Sequence, residues 1–284
     1  MATAKDIRRR IRTVKNIEKI TNAMKMVAAA RLKKAQSRAV SARPYAEKMN
    51  EVMTNLASSA GEIEHPLLVV RPEENVAFVV IGADRGLAGS YNGNVMNRAM
   101  GAIGDRDPGT TKLVLVGKKA MGFFKRKRYE VAATLEVSGS EVTFPDVRKL
   151  TARIREMFEG GEVDAVYLIY ARFVTAMRQE PTVLRLLPMA APDAGESAPS
   201  EFEFEPEADK LLGSLLPRYI DTQVYQALVE ANASEQGARM TAMSAATKNA
   251  GEMIDTLTLA YNKARQAAIT KEITEIVSGA EALR

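Results

Sequence analysis

The chain has 284 residues, 46% of them hydrophobic, with one histidine, no cysteine, no tryptophan and a formal net charge of +5. That is enough chain for one large domain or two smaller ones, and the missing thiols exclude disulfides, thiolate metal sites and thiol catalysis together. Charge is uneven: residues 1–40 hold twelve Lys and Arg against Asp6 and Glu18, a local net of +10 that leaves −5 for the remainder. A basic arm on a mildly acidic body signals an anionic partner, whether nucleic acid, a membrane surface or an acidic protein. His65, before a proline in "GEIEHPLLVV", reads as a surface loop residue. No apolar run approaches the roughly 20 residues that span a bilayer. The Arg-rich start raises a transit peptide, but Asp6, Glu18 and the unbroken helical pattern beyond residue 40 favour mature protein.

Residues 1–60 predict a helix. Ile7, Ile11, Val14, Ile17, Ile20, Met24 and Val27 recur at steps of three and four, the spacing of one helix face, and Pro44 predicts a kink near Ala42–Tyr45. Residues 75–190 change character. "NVAFVVIG", "TKLVLVG", "VDAVYLIYARF" and "PTVLRLLPM" are short β-branched runs, separated by helical patterns, so a parallel-rich α/β sheet is expected. The last two runs, separated by "TAMRQE", are candidates for antiparallel pairing. Residues 191–207 are rich in Pro, Ala, Ser and Glu and read as a linker, with "EFEFEPE" as a possible edge strand. Residues 208–284 return to helix, with a stripe through Val224, Leu228, Ala231, Ala238, Ala242, Ala245, Ile254, Leu257, Tyr261, Ala264, Ala268, Ile273 and Ile276; Pro217 marks a kink or a first turn. Neither terminal helix is stable alone. Side-by-side antiparallel pairing buries both stripes, and the longer C-terminal helix outreaches its partner as a single-helix tip. The expected fold is thus a long antiparallel coiled coil of the two terminal helices plus an inserted Rossmann-like α/β domain.

Four stretches suggest chemistry or contact. "VVIGADRGLAGSYNGN" places Gly82, Gly86 and Gly89 between a strand and a helix, where phosphate-binding loops lie. Its G-x-x-x-G-x-x-G spacing is neither the dinucleotide fingerprint nor the P-loop, so a tight structural turn is the plainer reading. "KRKR" at residues 125–128 is a solvated helix end or an electrostatic contact. In "SEQGARM", Gly237 sits in mid-helix at a cost of about 1 kcal/mol relative to Ala, which predicts close packing or a contact. In "YNKARQAAITKE", Gln266 and Thr270 share a helix face beside Arg265.

"RRRIRTVKNIEKITNAMKMVAAARLKKAQ", "ADRGLAGSYN" and "SEQGARMTAMSAATKNAGEMI…LAYNKARQAAITKEITEIVSGAEAL" closely resemble the gamma subunits of F-type ATP synthases, in the family's order and over essentially the whole chain. The resemblance implies a rotor shaft within three alpha and three beta subunits, standing on the c-ring with the epsilon subunit. Rotation of the ring would turn the shaft and impose different conformations on catalytic sites carried by beta. No catalytic residue, metal or directly bound cofactor is then expected here, MgATP and MgADP residing on alpha and beta. Arg265 and Gln266, with Thr270 and Glu272 nearby, match positions that contact a "catch" loop of beta. Met24 and Lys25, with Glu235 and Arg239, match a region facing the acidic lower part of beta. The turn Asp84, Arg85, Gly86, Leu87, Ala88, Gly89 matches a foot loop that approaches beta; the family often carries Cys where this chain has Ala88. The cysteine-bearing insertion of plant chloroplast members is lacking, so no thiol control is expected. The implied location is the cytoplasmic face of a bacterial plasma membrane, touched only through the c-ring, with no nucleic acid. The alternatives are a nucleic-acid-binding protein using the basic helix and a nucleotide-using α/β enzyme.

Overall fold

A computed structural model of the chain describes residues 3–59, 65–136, 143–189 and 208–281. The expected linker over 191–207, including "EFEFEPE", lies outside the described residues. The chain divides into two units, residues 1–28 with 240–284, and residues 29–239. Helices α1 (Ala4–Ser59) and α5 (Ala208–Glu281) contribute to both. At the start of α1 the Thr3 hydroxyl donates to Asp6 (2.8 Å) and accepts from the Asp6 N–H (3.3 Å), a reciprocal cap that satisfies otherwise orphaned groups. The bond from the Thr3 hydroxyl, with a second from the Thr3 N–H (3.4 Å), also holds the Asp6 carboxyl below its ordinary range.

In the first unit the two helices form a seam. On α1, Ile7, Ile11, Val14, Glu18, Thr21, Lys25 and Ala28 are buried or half-buried, and on α5 so are Met243, Thr247, Ala250, Ile254, Leu257, Tyr261 and Ala264. Both series step alternately by four and three, the 3.5-residue period of a coiled coil. The Thr247 and Thr21 hydroxyls are hydrogen-bonded at 2.8 Å, and a Cβ on Gly251 would stand 3.7 Å from Glu18 Oε1. Ascending α5 therefore descends α1: the pair is antiparallel. The seam leaves the expected stripe after Val14, and Ile17, Ile20 and Val27 are 47%, 59% and 51% exposed. The helices approach closely where the small residues Thr21 and Thr247 are hydrogen-bonded, and the long aliphatics of α1 turn outward. Beyond Ala264, residues 265–279 of α5 are exposed on every face.

The second unit is built on five strands, β1 (Val76–Ile81), β2 (Thr111–Val116), β3 (Glu130–Leu135), β4 (Ala165–Phe173) and β5 (Gln179–Leu187), in the order β3-β2-β1-β4-β5. All pairings are parallel except the β4–β5 hairpin. Helices α2 (Tyr91–Ile103), α3 (Lys118–Phe124) and α4 (Phe144–Glu159) complete it. Alternation along β1 sends Val76, Phe78 and Val80 into a core with α2 and α3, and Ala77, Val79 and Ile81 into a core with α4 and with Leu216, Ile220, Val224 and Leu228 of α5. Burial on both faces explains the continuous apolar runs of the central strands. Strand β3 was not evident from sequence, because "EVAATL" is an edge strand with exposed and half-buried residues and little β-branched content. Helix α1 runs unbroken through Pro44, and Pro217 lies inside α5 rather than in its first turn.

Gly237 of α5 faces the β4–β5 connection: an added Cβ would meet the Ala176 carbonyl oxygen at 3.1 Å and its Cα at 3.3 Å. Gly→Ala in a helix interior normally gains about 1 kcal/mol. Here Gly237→Ala is expected to lose about 1 kcal/mol instead, because the obstruction is backbone; urea denaturation of the full chain measures it.

Candidate functional site

Ile81 ends β1 and Tyr91 begins α2, so residues 82–90 form the strand-to-helix turn in the second unit. Gly82 is a packing glycine. A Cβ there would lie 3.1 Å from both Cβ and N of Ala120 and 3.2 Å from Met96 Cε, so α3 and α2 could not close onto the sheet over a larger residue. Leu87 (φ 61) and Gly89 (φ 56) take the left-handed conformation, which suits glycine and is strained for leucine.

Three sets of bonds hold this turn. The Ala83 N–H donates to Asn92 Oδ1 (3.0 Å), its carbonyl accepts from the Lys119 N–H (2.9 Å), and Asp84 Oδ1 accepts from the Lys118 N–H (3.0 Å). From α5, Arg239 donates to the carbonyls of Gly86 (3.2 Å) and Arg85 (3.5 Å) and pairs with Glu235 one helical turn away. The Gly86 contact is the stronger of the two carbonyl bonds. The Tyr91 hydroxyl donates to the Ala231 carbonyl (3.1 Å), and Ser234 donates to the Ala171 carbonyl of β4 (2.8 Å).

These bonds bring α5 across the carboxyl ends of β1 and β4, the place where strand order reverses and where open α/β sheets receive ligands. What remains is a pocket of about 70 Å³ lined by Arg31, Asp84, Arg85, Asn232, Glu235 and Arg239 among others. It has room for a few waters, whereas ligand pockets of small-molecule sites run from about 300 Å³. The chain's own helix fills the crevice that a nucleotide-using enzyme would keep open.

Burial pushes the Glu235 carboxyl above its ordinary value of 4.5, opposed by Arg239 and reinforced by Asp84. Burial likewise pushes the Tyr91 phenol far up, with the Glu235 charge adding to it. A carboxyl whose folded pKa is raised favours the native state when protonated, so its contribution is complete below pH 4.5 and is lost as pH rises through the higher folded value. Glu235→Gln is therefore expected to abolish a fall in stability with rising pH across that window, read by denaturant midpoints at successive pH values.

The sequence-predicted residues separate into two groups. Glu235 and Arg239 turn inward, Arg239 only 7% exposed, and meet Asp84, Arg85 and Gly86; Leu87 and Gly89 lie exposed at the tip of the turn. Met24 and Lys25 are half-buried in the coiled unit, and Arg265, Gln266, Thr270 and Glu272 stand exposed on the bare end of α5. Tyr91, Asn92, Ser234 and Arg31 escaped sequence reading. All four lie inside the stretches that carry the family resemblance, but no residue type or spacing there marks the bonds or contacts they make.

The family model described as ATP synthase matches residues 3–283. The ATP synthase gamma chain of Heliobacterium modesticaldum is 47% identical over the full length of both chains. Among solved structures, a chain of the central stalk/c-ring of the Tetrahymena thermophila mitochondrial ATP synthase is similar with a TM-score of 0.60 and 28% identity, over 80% of this chain and 99% of that one. A chain of the OSCP/F1/c-ring assembly of the Euglena gracilis mitochondrial ATP synthase gives a TM-score of 0.71 at 20% identity, over 99% of this chain and 94% of that one, a likeness of fold alone.

Proposed function

Because the chain belongs to the ATP synthase gamma family, we propose that it is a rotor shaft, turned by the c-ring and coupling that rotation to ATP synthesis or hydrolysis on beta subunits. It forms part of a multisubunit ATPase complex and carries no catalytic group itself. Its partners are three alpha and three beta subunits, the epsilon subunit and the c-ring, with MgATP and MgADP bound by alpha and beta. It stands at the cytoplasmic face of a bacterial plasma membrane as a peripheral component; among the described residues no helix is long and apolar enough to cross a membrane.

The observation that carries this reading is the end of α5. Residues 265–279 are exposed all round, including Ile269, Ile273, Ile276 and Val277, and a solitary helix with such a surface is not stable in water without a surrounding sleeve. Conformational coupling requires a ligand that interacts differently with alternative states, and an asymmetric helix in a ring of beta subunits supplies that difference at each angle. Arg265 and Gln266, with Thr270 and Glu272, are the tip contacts. Arg85, Leu87 and Gly89 form a second contact, presented by the turn that Arg239 holds.

In an assembled complex, Arg265→Ala with Gln266→Ala is expected to lower ATP-driven turnover about fivefold, the scale of a modest coupling energy, while the isolated chain keeps its stability. Steady-state hydrolysis beside denaturation of the chain measures both. Unchanged turnover would remove these two residues from the coupling contact.

A further inference from the structure

The Lys125–Arg128 run is the densest charge for which the rotor reading supplies no task. Helix α3 ends at Phe124, and the four cations occupy the turn before β3, the edge strand of the sheet. All four side chains are exposed, and among the described residues none lies within ion-pairing distance of a carboxylate. The nearby acids Glu130 and Glu136 are taken by Lys112 and Lys118. Charged residues that guard a sheet edge sit on the strand itself; these precede it.

An aromatic cluster accompanies the charge. Phe123 is 37% exposed, Lys127 Nζ stands 5.4 Å from its ring centre, Phe123 meets Phe124 edge-on at 5.0 Å, and Phe124 meets Tyr129 at 6.3 Å. Clustered Lys and Arg beside a partly exposed aromatic is the combination that binds the headgroup region of an anionic bilayer. The cations attract the lipid phosphates, and the ring enters the interface. Specific recognition of an acidic protein or a nucleic acid adds shaped, bidentate or groove-fitting contacts, which these four exposed cations on a short turn do not preorganise, whereas the partly exposed ring favours a bilayer interface over purely ionic attraction.

We propose that Lys125–Arg128 with Phe123 is a docking surface for anionic phospholipid headgroups, a direct membrane contact in addition to any made through the c-ring. The proposal rests on the rotor reading only in that the reading brings a bilayer within reach of the chain.

Flotation of the full chain with phosphatidylcholine vesicles, with and without phosphatidylglycerol, tests it. Because the N-terminal arm is itself basic, the comparison is made in an R8Q/R9Q/R10Q background. There K125Q/R126Q/K127Q/R128Q is expected to weaken binding to phosphatidylglycerol vesicles by roughly tenfold or more, with little binding to phosphatidylcholine alone and an unchanged thermal midpoint. If the fourfold variant misfolds, K125Q/R126Q serves, with an intermediate loss expected. Equal binding by a folded variant overturns the proposal. So does polyglutamate or duplex DNA binding the chain more tightly than the vesicles through the same four residues, which would make the surface a protein or nucleic-acid site. A fourfold variant that still turns in a rotation experiment but no longer floats separates this contact from the rotor reading.

Discussion

Arg239→Ala lowers the stability of the full chain by about 3 kcal/mol in urea denaturation, the scale of breaking a buried pair by removing one partner. The substitution strands the Glu235 carboxylate in a buried site and takes the only side-chain donor from the Arg85 and Gly86 carbonyls among the described residues. Replacing both partners, as E235Q/R239M, recovers most of that loss, since an uncharged pair of similar volume leaves no buried charge. Recovery in the double variant identifies the cost as electrostatic, whereas a loss as large as that of Arg239→Ala would identify it as packing. Arg239→Ala also releases the turn carrying Leu87. If that turn touches beta, the assembled complex loses turnover beyond what the stability change explains.

Gly117→Ala has the larger effect. Gly117 adopts φ 86 and ψ 145 at the end of β2, a region nearly closed to L side chains. A Cβ there would lie 2.4 Å from the Gly82 carbonyl oxygen and 2.9 Å from its carbon. Neither atom can withdraw, because the Gly82 N–H donates to the Val116 carbonyl and the Gly117 N–H to that of Leu135, each at 2.9 Å. Strain and overlap together cost more than about 3 kcal/mol, enough to prevent accumulation of folded chain in a protein of ordinary stability. Gly122→Ala in α3 is the matched control: nothing lies within 4 Å of its added Cβ, and stability should rise by up to about 1 kcal/mol. Soluble yield and denaturation midpoints of the two variants decide the matter, and a folded Gly117→Ala chain of native midpoint would contradict this account of the turn.

The parts of this molecule legible in sequence are those set by periodicity and composition. The β-branched runs locate β1, β2 and β4 because burial on both faces demands them, "PTVLRLLPM" locates β5 although that edge strand is buried only at its end, and the two long proline-poor helical patterns announce α1 and α5. Gly237 signalled close packing because a helix bears its cost only for a reason, and Ala176 is that reason. The α1 seam was misread after Val14. Thr21, Lys25 and Ala28 form a less hydrophobic face than Ile17, Ile20 and Val27, and hydrophobicity alone cannot indicate that the closest approach of two helices favours small side chains. The inward turn of Arg239 was hidden for another reason: its acceptors are backbone carbonyls 153 and 154 residues away, and a carbonyl has no sequence signature. Rotation belongs to no single residue, and the family resemblance carried it.

The most direct test attaches a bead to the second unit and watches the assembled complex. The chain has no cysteine, so a single introduced thiol is a unique handle. Asn97 on the outer face of α2 is exposed and carries the handle. Asn97→Cys chain assembled with cognate alpha and beta subunits on a surface, given MgATP, is predicted to turn the bead in one direction with three-fold stepping. A complex that hydrolyses ATP steadily while the bead never turns would contradict the rotor account.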